Sequence, residues 1–324
     1  MTRWWKQYCA CIALAGFACI ANAQAFPHKT VRVVVPVIAG TSGDTFARLL
    51  APLVSQSVGQ PVVVDNLPAA SGMPGALQVA KSPPDGHTIM FAATAQMISA
   101  VYLNKNIPYD PVKDFTPIGP IINPCILIMV RADGPVKTLR EVIDYAKAHP
   151  GKLTYGSSGT GAYFHLLGES LKAAAGGASI LHVPYKGTTT AMQDAAGGRI
   201  DIVFGTPSSS RGLRESGKLI PIATTMAQRY RGLPAVPTVA EVIPSYVAPP
   251  SWWGFWGPAA LPQAVVERLN AELLKALDTP QAKQWLEENA HEVVARTPRE
   301  TSETHLSGLA SVRITVQRAG IQPE

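Results

Sequence analysis

TVRVVVPVIAGTSGDTFARLL, residues 30–50, is the stretch on which the fold turns. A β-branched run comes first, then the turn IAGTSGD, then Phe46, Leu49, Leu50 and, just beyond, Leu53 at helical spacing. This reads as strand, tight connection and helix. The pattern returns at YGSSGTGAYFHLLGESLK, residues 155–172. There Gly156, Gly159 and Gly161 let the backbone turn, Ser157, Ser158 and Thr160 offer hydroxyls, and Phe164, Leu167 and Leu171 carry the helix. A helix N-terminus of this kind presents unpaired N–H groups and the positive end of a dipole, so each turn can receive an anion.

Working outward, PVVVDN and HTIMFAAT read as strands, with AASGMPGALQVAKS between them as turn and helix. The proline-punctuated YDPVKDFTPIGPI leads into the strand CILIMVR. A second cycle opens with TLRE (Thr138–Glu141), a capping box for the helix EVIDYAKAHPG. It runs through the strands LTYGSS, ILHVPY, IDIVFGT and LIPIATT, with the helix TAMQDAAGGR among them, to a second capping box, TVAE (Thr238–Glu241). SWWGFWGP and two helical stretches, PQAVVERLNAELLKAL and TSETHLSGLASVRITVQRAG, follow. Strands alternating with helices predict an α/β protein of two similar lobes, each a largely parallel sheet flanked by helices. Ligands of such sheets sit beyond the carboxyl ends of the strands. Both glycine–hydroxyl turns, Gly40–Asp44 and Gly156–Gly161, have that position, which predicts a cleft that closes on a ligand.

The chain has 324 residues, 47% apolar and only 15% charged, enough for two lobes with a sizeable core and unlike a disordered chain. It begins as an export signal does: the basic MTRWWKQY, the apolar CACIALAGFACI and the small-residue ANAQA, with cleavage expected after Ala23 or Ala25. Losing Arg3 and Lys6 with that segment takes the formal charge from +6 to +4. The remaining basic residues are scattered, without the stripe that nucleic acid requires. Cys9, Cys11 and Cys19 leave with the signal, so Cys125 alone remains and no internal disulfide is possible. Inside CILIMV it reads as a buried structural thiol.

No catalytic spacing is complete. Neither turn ends in the Gly-Lys-Ser/Thr of a phosphate loop, and glycines 156, 159 and 161 give G-x-x-G-x-G, not the dinucleotide fingerprint. A nucleophile elbow fails by one position, because Thr160 lies two beyond Ser158. Ser158, His165 and Asp201 are the residues from which a hydrolase site could be assembled. No metal-ligand spacing occurs, and His165 and Glu169, four apart on one helix, read as a solvated or capping pair. No catalytic residue, metal or cofactor is expected.

Several stretches together resemble the substrate-binding receptors of tripartite tricarboxylate transporters, the Bug-type receptors. They are VVVPVIAGTSGDTFARLLA, VDNLPAASGMPGALQVAKSPPDGHTIMF, YDPVKDFTPIGPI, YGSSGTGAYFHLLGESLK, HVPYKGTTTAMQDAAGGRIDIVF and LPAVPTVAEVIPSY, in this order over essentially the whole mature chain. The resemblance implies a two-lobed periplasmic binding protein fold, type II-like, with two crossing segments and the ligand in the interlobe cleft. Residues 1–25 are then the signal, 26–126 with 245–324 one lobe, and 127–244 the other. It implies a monomer that captures a small organic carboxylate, a dicarboxylate or aromatic acid, and hands it to membrane transporter subunits. By matching position it brings Gly40, Thr41, Ser42 and Asp44 to the ligand from the first turn, and Ser158, Thr160, Gly161 and Tyr163 from the second. Thr94, Gly187, Thr188 and Thr206 lie on further loops expected to reach the cleft. Asp44 carries a charge that would repel a carboxylate, so capping of its own helix suits it better than direct contact.

The chain departs from the family pattern in places. Val37, Ile38, Ala39, Gly40, Thr41 and Ser42 stand where an aromatic–Pro–Pro–Gly–Gly run is usual, and Thr188, Thr189 and Thr190 follow the PYKG turn in place of glycine and proline. Trp252, Trp253, Phe255 and Trp256 suit core and interlobe packing better than a stacking wall on the ligand. An exported hydrolase using a hydroxyl of the second turn, and a periplasmic sensor subunit, are the alternative functions.

Overall fold

The computed structural model describes residues 26–68, 72–160 and 162–319; the expected signal, residues 1–25, lies outside them. Two sheets organise the chain. The first has the order β11-β4-β10-β3-β1-β2, from β1 (Val31–Val35), β2 (Val62–Asn66), β3 (Thr88–Ala93), β4 (Phe115–Pro124), β10 (Trp253–Pro258) and β11 (His291–Ala295). The second has the order β7-β6-β8-β5-β9, from β5 (Leu127–Arg131), β6 (Leu153–Ser157), β7 (Ile180–Pro184), β8 (Ile202–Gly205) and β9 (Leu219–Thr224).

Both sheets are mixed, where the patterning predicts them largely parallel. Three of the five strand pairings in the first and two of the four in the second are antiparallel, because β10, β11 and β5 run against their neighbours. In the first, β1 to β4 share one direction and β10 and β11 oppose them. In the second, only β5 opposes its neighbours. Helix crossovers set the parallel pairs, since parallel strands need a long connection. The Ser42–Val58 and Met73–Ala80 helices supply it among β1, β2 and β3, the Tyr163–Ala174 and Thr188–Ala196 helices among β6, β7 and β8. Those helices cover the sheets. Phe46, Leu50, Phe91, Phe255 and Leu273 bury one another in the first unit, and Ile128, Val142, Tyr155, Leu167 and Phe204 in the second. Of the four rings expected to pack in the core, Trp252, Phe255 and Trp256 are buried and Trp253 is half-buried.

Local signals account for most element boundaries. Thr238 and Glu241 form the full capping box, and Thr138 caps Leu139–Ala148 through the Glu141 amide. Pro262 is the N-cap of Gln263–Leu277. Sequence patterning does not reveal β4, an interior strand despite Pro117, Pro120 and Pro124. Proline removes a ladder donor, so it argues against an interior strand. The sheet tolerates it here because β10 shifts register between Gly254 and Trp256, opposite the stretch that holds Pro120. The short Pro280–Glu288 helix and β11 are equally hidden in the sequence. That helix buries only Ala282 and Leu286, too few positions to show a period.

Candidate functional site

The first turn is built around Asp44, which is 2% exposed. One carboxylate oxygen accepts the Gly40 N–H at 2.8 Å; the other accepts Arg48 Nε and Asn66 Nδ2, each at 2.9 Å. Burial alone would raise its pKa, but the Gly40 amide, Asn66 and Arg48 outweigh it and hold the carboxyl below its ordinary 3.8. Asn66, at the end of β2, also donates to Val37 O at 3.1 Å. Asp44 therefore ties β2, the turn and its own helix together, and Gly40 adopts the left-handed φ of 84° that this closure needs. The N-cap Thr41 gives its hydroxyl proton to Ile38 O at 2.9 Å, so no side chain caps the first amides of Ser42–Val58. Exposed Ser42 lies 3.1 Å from His291 Nε2, and the half-buried Trp253 ring covers Gly43 so closely that a Cβ there would overlap it.

The second turn is anchored differently. Ser157, buried at the end of β6, donates to Gly159 O at 3.0 Å, accepts the Gly159 N–H at 3.1 Å and lies 2.7 Å from His182 Nε2. The His182 ring lies flat on His165, with centroids 4.0 Å apart. Burial, then the neighbouring His165, pushes the His182 pKa down to about 4, so His182 is neutral at ordinary pH, and burial lowers the His165 pKa as well. Beyond the turn, Ala162 is the N-cap of Tyr163–Ala174 and supplies no side-chain cap. The Tyr163 hydroxyl donates to Pro249 O at 3.3 Å. Ser158 is half-buried and Thr160 exposed; Gly161 lies outside the described residues.

The remaining candidates sit at equivalent places. Thr94 follows β3 and donates its N–H to Trp252 O at 3.0 Å. Gly187 and Thr188 follow β7, where Gly187 is the N-cap of Thr188–Ala196. Thr206 follows β8, its hydroxyl and amide engaged with Ser208 and Ser209. Register then brings the two sets together. Trp253 pairs with both Ala93 and Ile122, so the carboxyl ends of β3 and β4 lie level. After Pro124 only Cys125 and Ile126 intervene before Leu127, which pairs with Gly205 at the end of β8 and with Thr224 at the end of β9. The outward crossing thus runs from the carboxyl edge of one sheet to the carboxyl edge of the other. The return, 225–252, leaves from Thr224 and re-enters beside Ala93. The edges bearing the two turns are therefore joined by both crossings.

Asp201, one of the three residues from which a hydrolase site could be assembled, is engaged elsewhere. Asp201 accepts from the Thr154 amide at 2.9 Å and Arg131 Nε at 3.1 Å. Thr154 precedes Ser158 by four residues, which is ~13 Å along a strand. Glu169 takes the Tyr155 hydroxyl at 2.7 Å and Lys172 at 2.8 Å, and His165 stacks on His182. The i,i+4 pair thus serves two partners within the protein. Cys125 is buried, and burial with nearby Glu292 pushes its thiol up to about 12. Among the described residues no group of three His, Cys, Asp or Glu side chains is placed to hold a metal ion, and no helix is long and apolar enough to cross a membrane. Sequence reading misses Asn66, His182 and His291. No local motif marks them, since each meets its turn only through sheet or helix packing.

Comparison with known proteins agrees with this geometry. Residues 46–311 match the model of the tripartite tricarboxylate transporter family receptor. The chain is 31% identical over 293 residues to protein BugT of Bordetella pertussis, covering 90% of this chain and 89% of that one. An R. palustris protein solved with adipate superposes with a TM-score of 0.75 at 32% identity, covering 92% of this chain and 100% of its own. MatC from Rhodopseudomonas palustris, solved with bound malate, gives 0.70 at 28% identity, covering 90% of this chain and 100% of its own. With a family match over residues 46–311, most of its length, this chain belongs to the tripartite tricarboxylate transporter family receptors.

Proposed function

We propose that the protein is an exported receptor that captures a small dicarboxylate between the first and second turns and releases it unchanged to the membrane subunits of a tripartite transporter. The observation that carries this is the pair of helix N-termini, Ser42–Val58 and Tyr163–Ala174, each without a side-chain cap and each at a carboxyl edge. A carboxylate at each end of the ligand meets backbone N–H groups and the positive end of a helix dipole. Neither turn holds an Arg or Lys, so a bidentate clamp has no part in it. The dicarboxylates adipate and malate bound in two family neighbours support this ligand class. Gly40, Thr41, Ser42, Thr94, Ser158, Thr160, Tyr163, Gly187, Thr188 and Thr206 line the cleft, and Asp44 acts behind it by holding the first turn. Residues 26–126 with 245–324 form one lobe and 127–244 the other. Residues 1–23 or 1–25 are removed on export, which the intact mass of the periplasmic protein reads directly.

A thermal-shift screen of carboxylic acids tests the reading, since a ligand at 100 times its dissociation constant adds ~2.7 kcal/mol. No stabilisation by any dicarboxylate would sink it, and consumption of the ligand on long incubation would favour a hydrolase. Thr160→Ala removes an exposed hydroxyl with no packing role. It is expected to weaken binding about 10- to 150-fold by calorimetry, the worth of one hydrogen bond to a charged group, and to leave the unliganded melting temperature unchanged. Closure is read by solution scattering: a saturating ligand is expected to reduce the radius of gyration as rigid lobes rotate together. An unchanged curve would indicate a pocket already closed.

A further inference from the structure

The first turn contains a device that fixes which way a hydroxyl points. His291 opens β11, and its Nδ1 lies 2.9 Å from Asn289 O. A carbonyl oxygen only accepts, so Nδ1 carries the hydrogen. Burial pushes the ring pKa down to about 4, so the imidazole is neutral and Nε2 is a bare lone pair. Nε2 lies 3.1 Å from Ser42 Oγ, and with no hydrogen of its own it can only accept the Ser42 proton. The ring cannot readily turn. Trp285 packs on it with centroids 5.1 Å apart, and pairing with Pro124 holds the backbone of His291 in the sheet.

With its hydrogen directed at His291, exposed Ser42 offers only lone pairs to anything else beside it. An ionised carboxylate also has only lone pairs, so it gains nothing from this oxygen. A ligand hydroxyl has the hydrogen that Ser42 lacks. We propose that His291 is a positioning residue that makes Ser42 a hydrogen-bond acceptor toward the cleft, so that the receptor selects acids bearing a hydroxyl beside the carboxylate over the same acids without it. This rests on the carboxylate-receptor reading above. It assigns Ser42 to specificity and leaves charge recognition to the backbone.

Calorimetry with two pairs of acids, malate against succinate and 2-hydroxyadipate against adipate, tests it. In the wild type the hydroxylated member of at least one pair is expected to bind about 3- to 10-fold tighter, the worth of one neutral hydrogen bond. Ser42→Ala is expected to abolish that preference. His291→Leu frees the Ser42 proton for a carboxylate oxygen and is expected to reverse it. His291→Gln, whose side-chain oxygen accepts in place of Nε2, is expected to retain it, which a merely structural histidine would not predict. Equal affinities within both wild-type pairs, or a preference that survives Ser42→Ala, would overturn the inference and leave the carboxylate reading standing. Binding of none of the four acids would overturn both. If His291→Leu does not fold, Ser42→Ala at its exposed position decides alone.

Discussion

Asp44→Ala is expected to cost about 3 kcal/mol of stability and to weaken dicarboxylate binding roughly 100-fold or more. The carboxylate is buried and fully used: Gly40 N–H, Asn66 Nδ2 and Arg48 Nε all donate to it. Its removal leaves the exposed Gly40 N–H to water and Asn66 Nδ2 with Val37 O alone, so what is lost is hydrogen bonding to a charged acceptor, at about 1.5–3 kcal/mol each. The binding loss comes indirectly. On the proposed function, the amides that open the Ser42–Val58 helix are presented to a ligand only while Asp44 holds the turn closed, and each hydrogen bond they give a charged group is worth about 1.5–3 kcal/mol. Chemical denaturation with calorimetry measures both effects; wild-type affinity in a folded Asp44→Ala protein would show that the turn does not bind ligand. The sign of the pH dependence follows from the lowered pKa. A carboxyl held below 3.8 in the folded state stabilises at higher pH and loses that contribution as pH falls through its folded value. Asp44→Asn, which cannot titrate, is expected to lose this part of the acid limb of the stability curve.

Gly168→Val is expected to lower stability by about 3 kcal/mol without touching the cleft. Gly168 lies in the middle of Tyr163–Ala174, and a Cβ there would overlap the Tyr155 ring. That ring has no room to retreat. It is buried, stacks on His182, packs edge-on against Phe204 and is pinned through its hydroxyl to Glu169. Overpacking a site fixed on so many sides forces the helix off the sheet. Gly212→Ala is the control, because a methyl added at that exposed glycine would meet no atom within 4 Å. Alanine is also favoured over glycine in a helix by about 1 kcal/mol. Urea titration of both variants gives the comparison; equal stabilities would show that the Tyr155 contact carries no weight.

What the sequence by itself determined is the set of local decisions. Val31–Val35 is β-branched, Thr138 and Thr238 are followed by glutamate at capping-box spacing, and glycine marks both turns. Each signal acts within a few residues, through backbone propensity, caps or apolar period, so it is written in the order of the chain. The family likeness was legible for the same reason, as a series of short strings in a fixed order. Tertiary structure decided the rest. That Pro117 and Pro120 belong to an interior strand depends on a register shift in β10, more than a hundred residues away. That Asp44 meets Asn66, Ser157 meets His182 and Ser42 meets His291 depends on packing between strands and helices that are not neighbours in sequence. Such contacts form only once the sheets are laid down, and a hydrogen bond made there leaves no period or motif along the chain. The turns proposed to face the ligand were therefore readable in the sequence, and the residues that hold them in place were not.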